Sequence, residues 1–457
     1  MTSLAVRWDQ SLIEKYNYAG PRYTSYPTAL EFNESFGFED FSKAAGRYPQ
    51  RPLSLYVHIP FCHKLCYYCG CNKIVTRHQD KADIYLDALE REIQTLAPQF
   101  VDRQVTQLHW GGGTPTFLNE AQIRRLMGML RSHFQIETNA EISIEIDPRE
   151  ITLDTMDLLA ELGFMRLSVG IQDFNLQVQQ AINRVQDEAF IKALLVRARE
   201  VGFQSINLDL IYGLPFQTPE SFHKTLQEVK ALHPDRLSVF NYAHLPSHFA
   251  SQRKIKEADL PTPEQKLTLL RDTINDLVDS GYQFIGMDHF AHPDDSLAIA
   301  QRQGILHRNF QGYTTQGECD LLGLGVSSIS MLGDDYSQNQ KTLQEYYAQV
   351  RQQGHAQWKG LVLSRDDIIR RDVIKALMCN FTLEFAEIDQ RYHIDFHIYF
   401  ERDLAELKPL ENDGLLTVTA EGISVSPTGR LLIRNIAMCF DTYLRQKRHE
   451  RQFSRVI

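Results

Sequence analysis

Short stretches of alternating apolar and polar residues punctuate the first two-thirds of the chain, separated by longer amphipathic runs. Strands are predicted at 54–59, 105–110, 141–147, 166–172, 206–212, 237–242 and 284–288. Helices are predicted at 82–96, 121–134, 153–162, 188–201, 219–232 and 263–280, with Pro219 and Pro263 near helix starts, where proline is tolerated. Strand–helix alternation predicts a parallel sheet with right-handed crossovers. Parallel strands buried on both faces usually read as continuous apolar runs, and these do not. Leu55, Val57 and Ile59 oppose Ser54, Tyr56 and His58; Ile142, Ile144 and Ile146 oppose Ser143, Glu145 and Asp147. Leu167, Val169 and Ile171 oppose Arg166, Ser168 and Gln172, and Ile206, Leu208 and Leu210 oppose Asn207 and Asp209. One face therefore meets helices and the other is polar. The predicted class is α/β, an open, partial parallel β/α barrel around a polar ligand, with its site at the C-terminal strand ends.

Three stretches are expected in series. Residues 1–50 lack a helical or strand period and form a strap or a lid. Within them, residues 15–28 gather four tyrosines, two prolines, Lys15 and Arg22. Residues 51–364 form the barrel. Residues 365–457 are mainly helical, with long helices at 366–379 and 428–448 and a hairpin pairing 415–418 with 423–425; helices followed by a hairpin resemble a winged helix.

Composition sharpens this outline. At 457 residues and 43% hydrophobic content, one large domain and a smaller one can each bury a core. The net charge of −10 argues against nucleic-acid binding, so the basic run 445–451 reads as a solvated helix end or a domain clasp. An anionic ligand would need locally placed arginine or lysine. No signal-peptide pattern and no apolar run of membrane length is read, and seven cysteines, an odd number, suit a reducing cytoplasm.

Four of those cysteines lie together as Cys62, Cys66, Cys69 and Cys71. Thiolates this dense select zinc, copper(I) or an iron–sulfur cluster, and C-x3-C-x2-C is neither a zinc-ribbon pair nor a ferredoxin run. Gly111-Gly112-Gly113-Thr114-Pro115 follows a strand, where glycines permit close ligand approach and offer N–H groups. Glu145, Gln172 and Asp209 lie on the polar strand face and Arg184 just beyond it; a buried carboxylate there needs a partner. Residues 307–315, with Arg308, Asn309 and Tyr313, could meet carboxylates, whereas the isolated Cys319, Cys379 and Cys439 read as ordinary buried thiols.

The three-cysteine spacing, with the aromatic Tyr68 before the third cysteine, resembles the signature of the radical S-adenosylmethionine (SAM) enzymes. With Cys71 added, the string resembles that of the oxygen-independent coproporphyrinogen III oxidase family, and the likeness extends over nearly the whole chain. Haem-chaperone relatives carry His-Asn-x-x-Tyr-Trp and lack the fourth cysteine; this chain has no such string. The resemblance implies a 4Fe-4S cluster on Cys62, Cys66 and Cys69, with an open iron for SAM and Cys71 outside the ligand set. It implies a first SAM lined by Tyr56, Gly112, Glu145, Ala243 and Ile329, and a second lined by Tyr68, Gly113, Thr114, Gln172, Arg184 and Asp209. It further implies coproporphyrinogen III as substrate, an electron-donor protein such as flavodoxin or ferredoxin, and a monomer that binds neither nucleic acid nor membrane. Arg22 is the expected contact for a substrate propionate. A haem-binding chaperone of the same family and an electron-transfer protein in which Cys71 completes the cluster are the alternatives.

Overall fold

The structure is a computed structural model that describes residues 5–447. It divides into two compact units interleaved along the chain, whereas the sequence reading sets three stretches end to end. One unit holds residues 32–270 and 318–362; the other holds, of the described residues, 5–31, 271–317 and 363–447.

The first unit is the barrel. Its strands are β1 (Leu53–Ile59), β2 (Gln104–Gly112), β3 (Gln135–Ile146), β4 (Arg166–Gln172), β5 (Ser205–Tyr212), β6 (Arg236–Asn241), β7 (Asp320–Leu324), β8 (Ile329–Leu332), β9 (Asp335–Asn339) and β10 (Gln357–Leu361). Spatially they run β10-β9-β8-β7-β1-β2-β3-β4-β5-β6. The seven from β7 to β6 pair in parallel, and β8, β9 and β10 extend the sheet antiparallel. This is the open parallel barrel expected. The apolar parity of the strands is buried as predicted: Leu55, Val57, Ile59, Ile144, Val169 and Leu208 are sealed against helices such as Asp80–Leu96, which turns Leu86, Leu89 and Ile93 inward.

The polar parity is closed at the N-terminal end of the barrel by a side-chain relay. Ser54 Oγ donates to Gln107 Oε1 at 2.8 Å, Gln107 Nε2 donates to Glu141 Oε1 at 2.9 Å, and Arg166 Nε lies 2.8 Å from Glu141 Oε2. One polar side chain from each of four neighbouring strands thus satisfies the next.

Strands β7 to β10 escape sequence reading for definite reasons. Strand β7 is buried at every position and does not alternate. Strand β9, Asp-Tyr-Ser-Gln-Asn, is polar yet buried throughout. Its side chains are satisfied internally: Asp335 pairs with Arg47, and Asn339 Nδ2 donates to Glu92 Oε1 at 2.6 Å.

The second unit contains the helix Arg365–Asn380, capped by Ser364, and a three-stranded sheet of Thr382–Glu384, Gly422–Val425 and Leu416–Val418. The expected hairpin is present. The expected helix over 428–448 is not continuous: Ile433–Met438 and Thr442–Lys447 are separate helices. Asp441 lies at the break, where its carboxylate caps Leu444 N at 2.9 Å and accepts the Tyr23 hydroxyl at 2.8 Å. Residues 448–451 of the basic run lie outside the described residues.

The N-terminal stretch is less irregular than expected. Gln10–Tyr16 is a helix capped by Asp9, too short to show a period, and Phe38–Arg47 is a helix in the barrel unit. Residues 13–26 are built into the second unit. Ile13, Tyr16, Tyr23 and Tyr26 are buried, Arg434 donates to the carbonyls of Gly20 and Pro21, and Asn435 Nδ2 donates to Tyr16 O at 3.0 Å. Of the four tyrosines in 15–28, Tyr18 alone stays exposed. The strap is therefore part of a core, and its deletion would remove that core along with any ligand contact.

Glu92 generates a stability prediction. Its carboxylate is fully buried and accepts from Gly325 N (2.9 Å), Asn339 Nδ2 and Tyr346 Oη (2.7 Å), which ties a helix to β9 and to the β7–β8 turn. Burial pushes its carboxyl up against these three donors. Glu92→Ala leaves Gly325 N and Tyr346 Oη buried without this acceptor, while Asn339 Nδ2 keeps Gly325 O at 2.8 Å, and should cost about 2–5 kcal/mol of unfolding free energy in urea titration. Glu92→Gln, which keeps an acceptor, should cost clearly less.

Candidate functional site

Strand β1 delivers the chain to the cysteine loop. Phe61–Cys62 pairs in parallel with Ile74–Val75 and fixes the two ends of the loop. The interior is anchored from several elements: Tyr67 N donates to Ile182 O at 3.0 Å, Asn183 Nδ2 to Leu65 O at 2.7 Å, and Gln252 Nε2 to Tyr68 O at 2.9 Å. Tyr67 and Tyr68 pack against Val178, Ile182, Ile211 and Tyr242.

Each of the three predicted ligands faces a hydrogen-bonding group. Cys62 Sγ lies 3.4 Å from Thr114 Oγ1. Cys66 Sγ accepts from Arg149 Nη2 at 3.2 Å and from Arg184 Nη1 at 3.3 Å. Cys69 Sγ accepts from the Cys71 backbone N–H at 3.4 Å. Burial pushes the Cys62 thiol up to about 11, whereas the hydrogen bond of the Cys71 side chain, assisted by Lys73 and the Cys71 amide against burial, brings Cys69 down to about 6. Cys66 is buried and Cys71 exposed. Among the described residues no three Cys, His, Asp or Glu side chains converge as a single metal ion requires. A cluster makes no such demand, because each thiolate takes its own iron. Three cysteines on one anchored loop, each sulfur beside a donor, suit that group.

Glu145, near the end of β3, points into the barrel with its side chain 47% exposed. His109 Nε2 lies 3.3 Å from Oε1, and Gly112 N donates to Oε2 at 3.3 Å. His109 is held in turn by Ser143 Oγ at 2.7 Å. Burial raises the Glu145 carboxyl, but His109 and the Gly112 amide outweigh it and leave the group below its ordinary value. Tyr56 stacks on His109 with ring centres 5.9 Å apart and bonds His58 Nδ1 at 3.0 Å.

The glycine loop departs from expectation. Its N–H groups are already used: Gly112 donates to Glu145, Gly113 to Ile59 O and Thr114 to Phe61 O, the last two at 2.8 Å. The loop therefore offers no free amides from these positions, and its remaining backbone groups are carbonyls, which suit a cation such as an ammonium. Gly112 has φ +123°, and a Cβ there would stand 2.8 Å from Ile59 O and 2.9 Å from the His58 ring.

Arg184 is buried. It donates from Nη2 to Gly170 O at 2.6 Å and from Nη1 to Asp147 Oδ2 at 3.0 Å. A bulge in β4 between Gly170 and Gln172 gives Gln172 a φ of +68°. A Cβ on Gly170 would lie 2.8 Å from both Arg184 Nη2 and Gln172 Nε2, so these two side chains crowd one glycine. Ala243 is exposed just after β6. Ile329 begins β8 and backs Gly323, where a Cβ would come within 2.6 Å of Ile329 O. Arg22 lies in the second unit, where it is ion-paired with Asp288. Arg308, also there, places its guanidinium 4.5 Å from the Tyr313 ring centre.

Sequence reasoning overlooks His58, His109, Asp147 and Arg149 as site residues. His109 shares the polar parity of β2, a signal that would have found it. Arg149 sits on the short turn Pro148–Glu150 beyond the strand, where no periodicity points.

Asp209 on β5 accepts from Ser168 Oγ at 3.0 Å and Asn207 Nδ2 at 2.8 Å, and Asn207 is held by Ser238 Oγ at 3.1 Å. Burial first, and the Glu145 charge second, push its carboxyl up to about 6. An unfolded aspartate titrates near about 3.9, so the folded form holds its proton more tightly and stability falls as pH rises through that window to about 6. Asp209→Asn removes this loss. The urea midpoint of that variant, measured relative to the parent protein, should rise from pH 4.5 to pH 6.5 and then level off, by an amount corresponding to about 1–3 kcal/mol.

Comparison with known proteins agrees with this geometry. The model of the Radical SAM superfamily matches residues 56–229, and that of the HemN C-terminal domain matches residues 363–432. The oxygen-independent coproporphyrinogen III oxidase of Escherichia coli strain K12 is 67% identical, over 100% of both chains. That of Pseudomonas aeruginosa is 51% identical over 99% of each. The solved structure of the coproporphyrinogen III oxidase HemN from Escherichia coli, described as a radical SAM enzyme, superposes with a TM-score of 0.94 at 65% identity, covering 96% of this chain and 100% of the other. The anchored three-cysteine loop, the polar barrel behind it and identity along the full length place this chain in the oxygen-independent coproporphyrinogen III oxidase family of the radical SAM superfamily.

Proposed function

We infer that the chain catalyses the anaerobic oxidative decarboxylation of two propionate side chains of coproporphyrinogen III to vinyl groups, giving protoporphyrinogen IX in haem biosynthesis. The observation that carries this reading is the loop Cys62–Cys71, with a hydrogen-bonding group beside each of its first three sulfurs, following a barrel strand whose neighbours carry the half-exposed Glu145 on their polar face. When bound, a 4Fe-4S cluster supplies the electron that cleaves SAM to methionine and a 5′-deoxyadenosyl radical, which takes a hydrogen from a substrate propionate.

The chain's own residues position and insulate. Cys62, Cys66 and Cys69 hold the cluster, and Cys71 lends a backbone N–H to Cys69. Glu145, kept ionised by His109 and Gly112, accepts from the ribose of the first SAM and faces its sulfonium charge. The carbonyl side of the Gly112 loop takes the methionine ammonium. Tyr56, Ala243 and Ile329 line the same molecule. Tyr68, Gly113, Thr114, Gln172, Arg184 and Asp209 line a second SAM; the contacts of Arg184 with Cys66 and of Thr114 with Cys62 support this, because they set those side chains against the cluster loop. Arg22 would have to exchange Asp288 for a substrate propionate. The protein acts as a monomer in the cytoplasm, receives electrons from a flavodoxin- or ferredoxin-like donor, and binds neither nucleic acid nor membrane. No described helix is long and apolar enough to cross a bilayer.

Two experiments test this. After anaerobic reconstitution, Cys62→Ser, Cys66→Ser and Cys69→Ser should each lose iron and the brown absorbance, while Cys71→Ser keeps both. Loss of iron from the Cys71 variant to the same extent would favour a four-cysteine electron-transfer site. Equilibrium binding should count two SAM per wild-type chain and one in Asp209→Ala, whereas Glu145→Ala should abolish reductive SAM cleavage. A count of one in both wild type and Asp209→Ala would remove the second site.

A further inference from the structure

Two buried guanidinium groups converge on the sulfur of Cys66. Arg149 reaches it with Nη2 at 3.2 Å and Arg184 with Nη1 at 3.3 Å, and their side chains are 5% and 6% exposed. Both also hold the carboxylate of Asp147, which their charges and hydrogen bonds keep at about 2 against the upward pull of burial. Two cations share one carboxylate, so one positive charge is left over. An uncompensated buried charge costs several kcal/mol, and the nearest complement is a thiolate at Cys66.

Arg149 is fixed independently of that sulfur. Its Nε lies 2.9 Å from Asp147 Oδ1, its Nη1 donates to Asn183 O at 3.0 Å, and its backbone N–H closes the turn on Asp147 Oδ1 at 3.1 Å. Nη2 gives one hydrogen to Asp147 Oδ2 at 2.5 Å, and the same bonds aim it at Cys66 before any cluster arrives.

We propose that Arg149 is a positioning residue that raises the reduction potential of the cluster through its N–H···S bond to Cys66. The inference rests on the radical SAM reading of the three cysteines. Adding an electron increases the negative charge spread over the sulfurs, so a cationic donor stabilises the reduced state more than the oxidised one. No bond forms or breaks at Arg149; one electron enters from the external donor and leaves to SAM. Arg184 is the second donor, but its expected place at the second SAM makes its substitution ambiguous. Arg149 carries no such double role.

The test is an anaerobic redox titration of the reconstituted enzyme, without SAM or substrate, read by the visible absorbance and the electron-spin signal of the reduced cluster. At a fixed poise Arg149→Gln should lower the reduced-to-oxidised ratio about tenfold, a shift of about 59 mV to more negative potential for one electron. Arg149→Lys, which keeps the charge and loses the fork, should shift less in the same direction. Asp147→Asn removes the carboxylate that competes for both guanidiniums and should shift the other way. If Arg149→Gln fails to hold iron, the opposite signs of Arg149→Lys and Asp147→Asn decide the question. A wild-type potential in fully loaded Arg149→Gln, or a shift of Arg149→Lys and Asp147→Asn in one direction, overturns the proposal. Failure of the wild-type protein to assemble a 4Fe-4S cluster would sink the underlying reading instead, and would be seen before any titration.

Discussion

A parallel barrel with a polar interior must satisfy that interior or leave it to a ligand, and most of this site follows from where the chain does each. At the N-terminal end the relay Ser54–Gln107–Glu141–Arg166 joins four strands and uses up their polar groups. Midway, Ser168, Asn207, Ser238 and Asp209 satisfy one another. Toward the C-terminal end the supply of mutual partners runs out: Glu145 has His109 and one amide and remains open. A buried polar group without a full set of partners is costly. The gradient from closed to open therefore fixes which end can receive a polar cofactor, before any loop is considered.

The cysteine loop adds a second layer of preparation. Its backbone is held by side chains from several neighbouring elements, and its sulfurs are met by Thr114, Arg149, Arg184 and the Cys71 amide. The surroundings differ from one sulfur to the next, and so does the direction in which each thiol is pushed: Cys62 up by burial, Cys69 down by its donors. A loop built this way presents three inequivalent ligands, and asymmetry of this kind tunes an iron–sulfur centre.

How much of this could be read from the chain depended on whether periodicity or partnership was the signal. Six of the predicted strands were legible because one face is apolar and the other polar, and Glu145 and Asp209 fell out of the same parity. Strand β9 was illegible because its burial rests on a pairing with Arg47 and a hydrogen bond to Glu92, both distant in sequence, rather than on apolar content. Arg149 was missed for the same reason: its importance comes from Cys66 and Asn183, both distant in sequence, rather than from its own neighbourhood in the chain. The glycine run shows in the sequence, but that Ile59, Phe61 and Glu145 consume its amides does not, because those partners are set by the fold. The helix over 428–448 was overextended because nothing local announces that Asp441 caps a new helix while holding Tyr23.

The bond between Arg434 and Gly20 spans 414 residues of sequence. During synthesis the buried faces of Tyr16, Tyr23 and Tyr26 emerge first and wait for partners that emerge nearly last. At about 5–20 residues per second the delay is roughly 20–80 s. For that interval the earliest part of the chain carries exposed aromatic surface with no native place to put it, a condition that favours capture by chaperones or misassociation with neighbouring chains. The barrel unit, whose β7 pairs with β1, is also incomplete until residues 320–324 have appeared. Each unit is thus closed by its latest segment, and a product truncated before residue 318 would release two unfinished cores rather than one finished domain and a tail.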